Sequence, residues 1–333
     1  MTPPPLAPVQ LGPVRIDFPV ALAALSGYSD WPARLIARRL GAGYTIGEVL
    51  LDRFVVNVTK GRKARRYIRV SDEERPAAAQ LMGSTADELA AAARTLVAAG
   101  FDVIDVNFGC PVKKVVGKCR GGYLLSQPEA ALEILGRVRD ALPPHVPLTV
   151  KMRRGMDDGP ESRDQFFRIF DGAWALGAAA ITVHGRTVRQ RYEGRSSWDF
   201  LAEVKRHADG RVIFGSGDLF TPDDCAAMIR HTGVDGLTVA RGAIGNPWIF
   251  RDLRALFAGR PLPPPPTVAE QRAVLLEQLE LESSMLGERR AGSVMCQFGI
   301  KFARMHPQPI AVRDAFAAAH SLEQFHAVLG KWY

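Results

Sequence analysis

The chain has 333 residues, 47% hydrophobic and 23% charged, a composition that fits a folded globular protein with one large domain and one small one. Lys and Arg total 43 against 35 Asp and Glu, a net charge of +8 that suits either simple solubility or a polyanionic partner, and the clustering of the charge decides between them. No apolar run approaches the roughly 18 residues of a membrane span, and no charged-then-apolar leader is evident. The four cysteines, Cys110, Cys119, Cys225 and Cys296, have neither CxxC nor paired spacing, so a cytoplasmic protein without a metal site or disulfide framework is expected.

In chain order, short β-rich apolar runs predict strands at 20–25, 44–50, 77–82, 103–108, 148–152, 180–183, 212–214 and 237–239, with helical patterns between them. Thr85-Ala-Asp-Glu88 and Ser126-Gln-Pro-Glu129 read as capping boxes, and Thr221-Pro222 sets a proline at the first helical position behind a threonine cap. Strands alternating with helices imply parallel βαβ units, and this number in about 240 residues implies a closed (β/α)8 TIM barrel over residues 1–260. The unbroken apolar character of the runs suits a sheet buried on both faces. The four consecutive prolines Pro263 to Pro266 suit neither helix interior nor central strand, which marks 261–266 as a linker. Beyond it, Thr267 and Ser321 open helices, the first with Leu275, Leu279 and Leu286 on one face, so 267–333 is read as a small helical bundle.

A barrel of this kind builds its active site at the C-terminal ends of its strands. Those ends carry Gln80, Asn107 with Cys110, Lys151 with Arg153, His184 with Arg186, Ser216 with Asp218, and Arg241. The Cys110-Pro111 pair holds a thiol stiffly, because proline fixes its own φ and biases the preceding residue towards extended backbone. Lys113, Lys114, Lys118 and Arg120 follow without an acidic residue, which makes this a loop suited to polyanions. Lys60, Arg62, Lys63, Arg65, Arg66 and Arg69 form a second basic block, and Arg186, Arg189, Arg191 and Arg195 a third. All three follow strand ends and so surround one rim. Gly215-Ser216-Gly217-Asp218 and Ala240-Arg241-Gly242 fall where such barrels bind phosphate through backbone amides. Together with Lys151 and His184 they suggest FMN, whose reduced ring a nearby ammonium stabilises.

The motifs Asp105-Val-Asn-Phe-Gly-Cys-Pro-Val-Lys-Lys114, Thr149-Val-Lys-Met-Arg153, Thr182-Val-His-Gly-Arg-Thr187 and Arg241-Gly-Ala-Ile-Gly-Asn-Pro-Trp-Ile-Phe250 resemble those of the tRNA-dihydrouridine synthase family. The resemblance spans roughly residues 18–255 and is strongest in the Cys-Pro-x-Lys-Lys and Val-His-Gly-Arg-Thr segments. It implies an FMN-dependent oxidoreductase that reduces the C5–C6 bond of a uridine in tRNA, with NADPH or NADH as reductant. It further implies Cys110 as general acid, with Gln80, Lys151 and His184 at the flavin ring and Gly217, Ala240 and Arg241 at the phosphate. Asn107 and Arg186 would face flavin or target base, and the helical bundle would bind tRNA. Ser216 and Asp218 join the cofactor set as members of the phosphate loop, and Lys113 and Lys114 the substrate set. The chain departs from the family pattern at Ala23-Ala24-Leu25, where Ala-Pro-Met is usual, and at Ser216, Ala240 and Cys296-Gln297-Phe298.

Two other readings share part of this pattern: a flavin barrel acting on a small pyrimidine or enone, and a non-catalytic RNA-binding barrel. The first leaves the three basic blocks unexplained. The second predicts a colourless protein.

Overall fold

The computed structural model describes residues 4–58 and 65–333. A hairpin of β1 (Val9–Leu11) and β2 (Val14–Ile16) precedes eight strands: β3 (Val20–Leu22), β4 (Tyr44–Leu51), β5 (Ala77–Met82), β6 (Val103–Phe108), β7 (Leu148–Arg153), β8 (Ala178–His184), β9 (Ile213–Ser216) and β10 (Gly236–Val239). These eight close into a parallel barrel in which β10 pairs with β3. Helices follow the strands in turn: α1 (Trp31–Arg39), α2 (Asp52–Val58), α3 (Ala86–Ala98), the short α4 (Lys113–Val116) with α5 (Pro128–Ala141), α6 (Pro160–Ala175), α7 (Trp198–His207), α8 (Pro222–Thr232) and α9 (Ile249–Phe257). The chain is therefore a TIM barrel, as its strand pattern predicts. β5 and β6 are buried along their whole length, because helices cover the outside and side chains fill the inside.

The hairpin was not legible as strand, since each of its arms has only three residues and they flank Gly12 at φ +54°. It closes the end of the barrel opposite the active-site mouth. Val9, Leu11 and Ile16 pack in one cluster with inward residues Ala21, Tyr44, Ile46, Val103 and Phe214. The first strand is shorter than expected, so Ala23, Ala24 and Leu25 form a loop at the mouth.

The reciprocal capping boxes form at Thr221 with Asp224 and at Thr267 with Glu270, and Ser321 caps its helix by accepting from Gln324 N. Two expected caps do not form. Thr85 makes no capping hydrogen bond, and α5 is headed by Gln127 while the Ser126 hydroxyl donates instead to Tyr123 O at 2.8 Å.

After the extended prolines come α10 (Val268–Leu286), α11 (Glu288–Phe302), α12 (Pro309–Ala318) and α13 (Leu322–Trp332). Leu275 and Leu279 are buried in their shared core, whereas Leu286 is half-buried and lies outside it. That core also takes in Ile36 of α1 and Trp248, and Trp248 meets Phe302 edge-on at 5.9 Å. The four helices thus rest directly on the barrel. Cys296 and Phe298 of the segment that departs from the family pattern are core residues here, and only Gln297 faces solvent.

Candidate active site

The strands end around a cavity of about 410 Å³ at the C-terminal mouth of the barrel. Of the residues singled out from sequence, Cys110, Asn107, Lys151, His184, Ser216, Gly217, Asp218, Ala240 and Arg241 line it. Gln80, Arg186, Lys113 and Lys114 do not.

Register explains the grouping. Asn107 pairs with Lys151 across β6 and β7, Arg153 with His184 across β7 and β8, and His184 with Ser216 across β8 and β9. Side chains two apart on a strand share a face, so Asp105 and Thr149 continue inward below Asn107 and Lys151. They form a buried chain of hydrogen bonds. Thr149 Oγ1 donates to Asp105 Oδ1 at 2.6 Å, Gln80 Nε2 donates to Asp105 Oδ2 at 2.6 Å, and Asn107 Nδ2 donates to Gln80 Oε1 at 2.6 Å. Asn107 Oδ1 then accepts from Gly109 N at 2.9 Å and Cys110 N at 3.0 Å. Gln80 is therefore a fully buried support beneath Asn107. Burial pushes the Asp105 carboxyl above its usual range, against the pull of Thr149, Gln80 and Lys151. The sequence signal for Asp105 and Thr149 was their two-residue spacing from Asn107 and Lys151.

Cys110 is a half-buried free thiol. Gly122 N donates to its carbonyl at 3.0 Å, and the Arg153 guanidinium donates to the neighbouring Gly109 carbonyl at 2.9 Å. Arg153 also donates to Thr187 O and Arg191 O, at 2.8 and 2.6 Å, which ties the cysteine loop to the loop after β8.

Lys151 is the exceptional charge. Among the described residues no ion pair or hydrogen bond reaches its ammonium, and burial followed by the nearby Arg153 pushes it down to about 8, opposed by Asp105. His184 is held well below its ordinary range by burial and by Lys151, Arg153, Arg186 and Arg241. Its Nδ1 accepts from Arg186 N at 3.1 Å, so the neutral ring carries its hydrogen on Nε2.

Arg186 is buried, and its guanidinium grips both oxygens of Asp218 at 2.7 and 2.8 Å. Asp218 also accepts from Ser196 N at 2.8 Å and from Arg241 at 3.3 Å. This carboxylate, with φ +59°, thus gathers the loops after β8, β9 and β10 into one wall. Beside it Gly217 has φ +116°, and a Cβ there would lie 2.4 Å from Ser196 Oγ, so only glycine brings the backbone this close. The Arg241 guanidinium lies over Phe220 at 4.8 Å and over Tyr192 at 5.2 Å.

On the rim, Lys113, Lys114 and Lys118 are exposed, and none has a partner among the described residues. Lys60, Arg62 and Lys63 of the second basic block lie outside the described residues. The third block is thinner than its sequence suggests, because Arg186 pairs with Asp218 and Arg189 with Asp157 at 2.6 Å, which leaves Arg191 and Arg195. Among the described residues no His, Cys, Asp and Glu cluster could hold a metal ion, and no helix is long and apolar enough to cross a membrane.

Fold and site together define a TIM-barrel protein whose mouth presents a half-buried thiol, an ammonium with no ion pair among the described residues, and a wall that includes Gly217. A family model described as dihydrouridine synthase matches residues 21–329, which extends the likeness through the C-terminal helices. The chain belongs to the dihydrouridine synthase family. It is 34% identical over 317 residues to tRNA-dihydrouridine synthase B of Xanthomonas campestris pv. campestris, covering 95% of this chain and 92% of the relative. It is 31% identical over 336 residues to a probable tRNA-dihydrouridine synthase of Mycobacterium tuberculosis, covering 98% and 85%. Solved structures with the same fold include histamine dehydrogenase from Rhizobium sp. 4-9, with TM-score 0.59, 15% identity and 83% of this chain covered. Another is 6-hydroxypseudooxynicotine amine oxidase from Pseudomonas geniculata N1, with TM-score 0.60, 15% identity and 82% covered. This chain spans about half the length of those two, 50% and 52%.

Proposed function

We propose that the chain reduces the C5–C6 double bond of a uridine in tRNA, using FMN that a nicotinamide nucleotide reduces. The observation that carries this reading is the convergence of the Cys110 thiol and the unpaired Lys151 ammonium on one cavity, in a member of the dihydrouridine synthase family.

The residues present fit a flavin nucleotide. Among the described residues no ion pair or hydrogen bond reaches the Lys151 ammonium, and the buried Thr238 Oγ1 at the cavity wall has no partner. Lys151 and His184 would contact the ring, with Gln80 supporting them through Asn107. Ser216, Gly217, Ala240 and Arg241 would hold the phosphate, on a wall that Asp218 and Arg186 keep in shape. When bound, FMN supplies the hydride delivered to C6 of the base.

Cys110 supplies the proton to C5. Its S–H group would serve as the general acid. Asn107 fixes the backbone from which the thiol projects. Leu25, Tyr28 and Val112 give the cavity an apolar side.

The base must leave its stack to enter, which costs a few kcal/mol and favours a flexible loop of tRNA. Lys113, Lys114 and Lys118 would meet backbone phosphates beside the mouth. The helices of residues 267–333 would orient the tRNA, with 1–260 carrying the flavin chemistry. The chemistry needs no metal, and the enzyme would work in the cytoplasm beside its substrate.

The test is to purify the protein, record its visible spectrum, and supply NADPH with tRNA lacking dihydrouridine. A yellow protein that forms dihydrouridine in tRNA, and leaves free uridine untouched, supports the reading. A yellow protein that reduces only small pyrimidines or enones, or a colourless one that binds RNA, opposes it.

A further inference from the structure

Asp52 and Arg120 form a buried pair that no step above uses. Asp52 is fully buried where β4 gives way to α2, seated against Gly83, where a Cβ would lie 2.1 Å from Asp52 Oδ2. Arg120 reaches it from the loop after Cys110, with its side chain only 15% exposed and Nη2 3.7 Å from Asp52 Oδ1. Asp52 Oδ1 accepts from Arg53 N at 2.7 Å, but Asp52 Oδ2 and Arg120 Nε have no partner among the described residues. One buried acceptor and one buried donor are thus left over on the two members of a single ion pair. An approach of about 1 Å would make the pair bidentate and satisfy both.

The loop that Arg120 anchors closes back on Cys110. Arg120 stands between Cys119 at φ +55° and Gly121 at φ +57°. A Cβ on Gly121 would lie 2.8 Å from Cys110 Cβ, and Gly122 N donates to Cys110 O at 3.0 Å. The position of Arg120 therefore sets the position of the two glycines packed on the cysteine.

We infer that Asp52 and Arg120 are positioning residues for Cys110, an ion pair that fixes segment 110–122 to the barrel so that the thiol is aimed at the substrate. This rests on the function proposed above. Neither residue touches the cavity, so their effect passes through the loop.

The test uses the full-length holoenzyme carrying Cys119→Ser, so that mass spectrometry can follow iodoacetamide alkylation at Cys110 without competition from the neighbouring exposed thiol. Arg120→Ala, Arg120→Lys and Asp52→Asn are compared for alkylation rate, flavin reduction by NADPH, and kcat and KM on tRNA. The expected result is a changed Cys110 alkylation rate and a kcat lower by about 10- to 100-fold in Arg120→Ala and Asp52→Asn, with KM and flavin reduction unchanged. Arg120→Lys, which keeps the charge without the planar fork, should recover part of kcat. If Arg120→Ala fails to fold, the near-isosteric Asp52→Asn decides. Wild-type alkylation and kcat in folded Asp52→Asn overturn the inference, as does a loss of flavin reduction in step with kcat. A parent enzyme that forms no dihydrouridine removes the proposed function instead, and the alkylation arm still decides whether the pair positions the thiol.

Discussion

Asn107 holds Cys110 by its backbone: the Asn107 side-chain oxygen accepts the Cys110 N–H at 3.0 Å and the Gly109 N–H at 2.9 Å. The amide is itself oriented from below, since its nitrogen donates to buried Gln80. Replacing Asn107 by Leu removes the acceptor from two amides at once. Thermal unfolding should show a loss of about 1–3 kcal/mol, and dihydrouridine formation should fall while any bound flavin is still reduced. Unchanged stability and turnover would show that the amides find other acceptors and that Asn107 does not organise the thiol.

Lys151 gives the site a pH signature. Its ammonium is pushed down to about 8 in the free protein, and a bound anion raises it again. Below pH 8 the charge is present before binding. As pH rises through 8 the free protein loses that proton, so FMN affinity should fall with increasing pH from there upward. Titration of apoprotein with FMN from pH 6.5 to 9.5 measures this. Lys151→Met should bind more weakly at neutral pH and show no such fall; an equal fall in the variant would assign the effect to another group.

His184 gives the opposite limb. Its protonation is held well below the ordinary range, so the ring stays neutral through pH 6.5. The folded state binds fewer protons than the unfolded one in the window below 6.5, and stability contributed by this ring is lost as pH falls there. His184→Asn should flatten that acid decline in denaturation experiments. A decline of the same size in the variant would place its origin elsewhere.

Gly217 packs closely against Ser196 on the wall that Asp218 gathers. Gly217→Ala puts a methyl 2.4 Å from Ser196 Oγ at φ +116°. The expected cost is about 1 kcal/mol or more, with weaker FMN retention on gel filtration. Full retention at wild-type stability would mean that the wall yields and does not form a rigid cradle.

The barrel was legible because its strands are continuous apolar runs and because polar residues recur just where those runs stop. Cys110, Lys151, His184 and Gly217 meet in one cavity for that reason. The hairpin at 9–16 was not, since three-residue arms carry too little periodicity to register. The Arg186–Asp218 pair joins residues 32 apart, and no local spacing announces it; Arg186 therefore read as a substrate contact, whereas its guanidinium is held inside the protein. Thr267 caps its helix and Thr85 does not, although both have the expected pattern, and their backbones differ, at φ −63°, ψ 161° and φ −119°, ψ 122°. The C-terminal helices read as a separate bundle because the prolines interrupt the sequence. Yet Tyr28 at the cavity meets Phe298 of α11 with ring centres 5.6 Å apart, a contact visible only once the chain is folded. A chain truncated near Gly259 would bare Ile36 and Trp248, and its behaviour would mix lost docking with lost stability.

Whether Cys110 gives the proton that completes reduction of the base is decided by a single-turnover experiment. Wild-type and Cys110→Ala proteins are loaded with FMN, reduced by NADPH in the absence of oxygen, and mixed with tRNA lacking dihydrouridine. Both should be reduced at the same rate, and the variant should then form dihydrouridine about 10²- to 10⁴-fold more slowly. Dihydrouridine formation by Cys110→Ala at the wild-type rate would contradict that role.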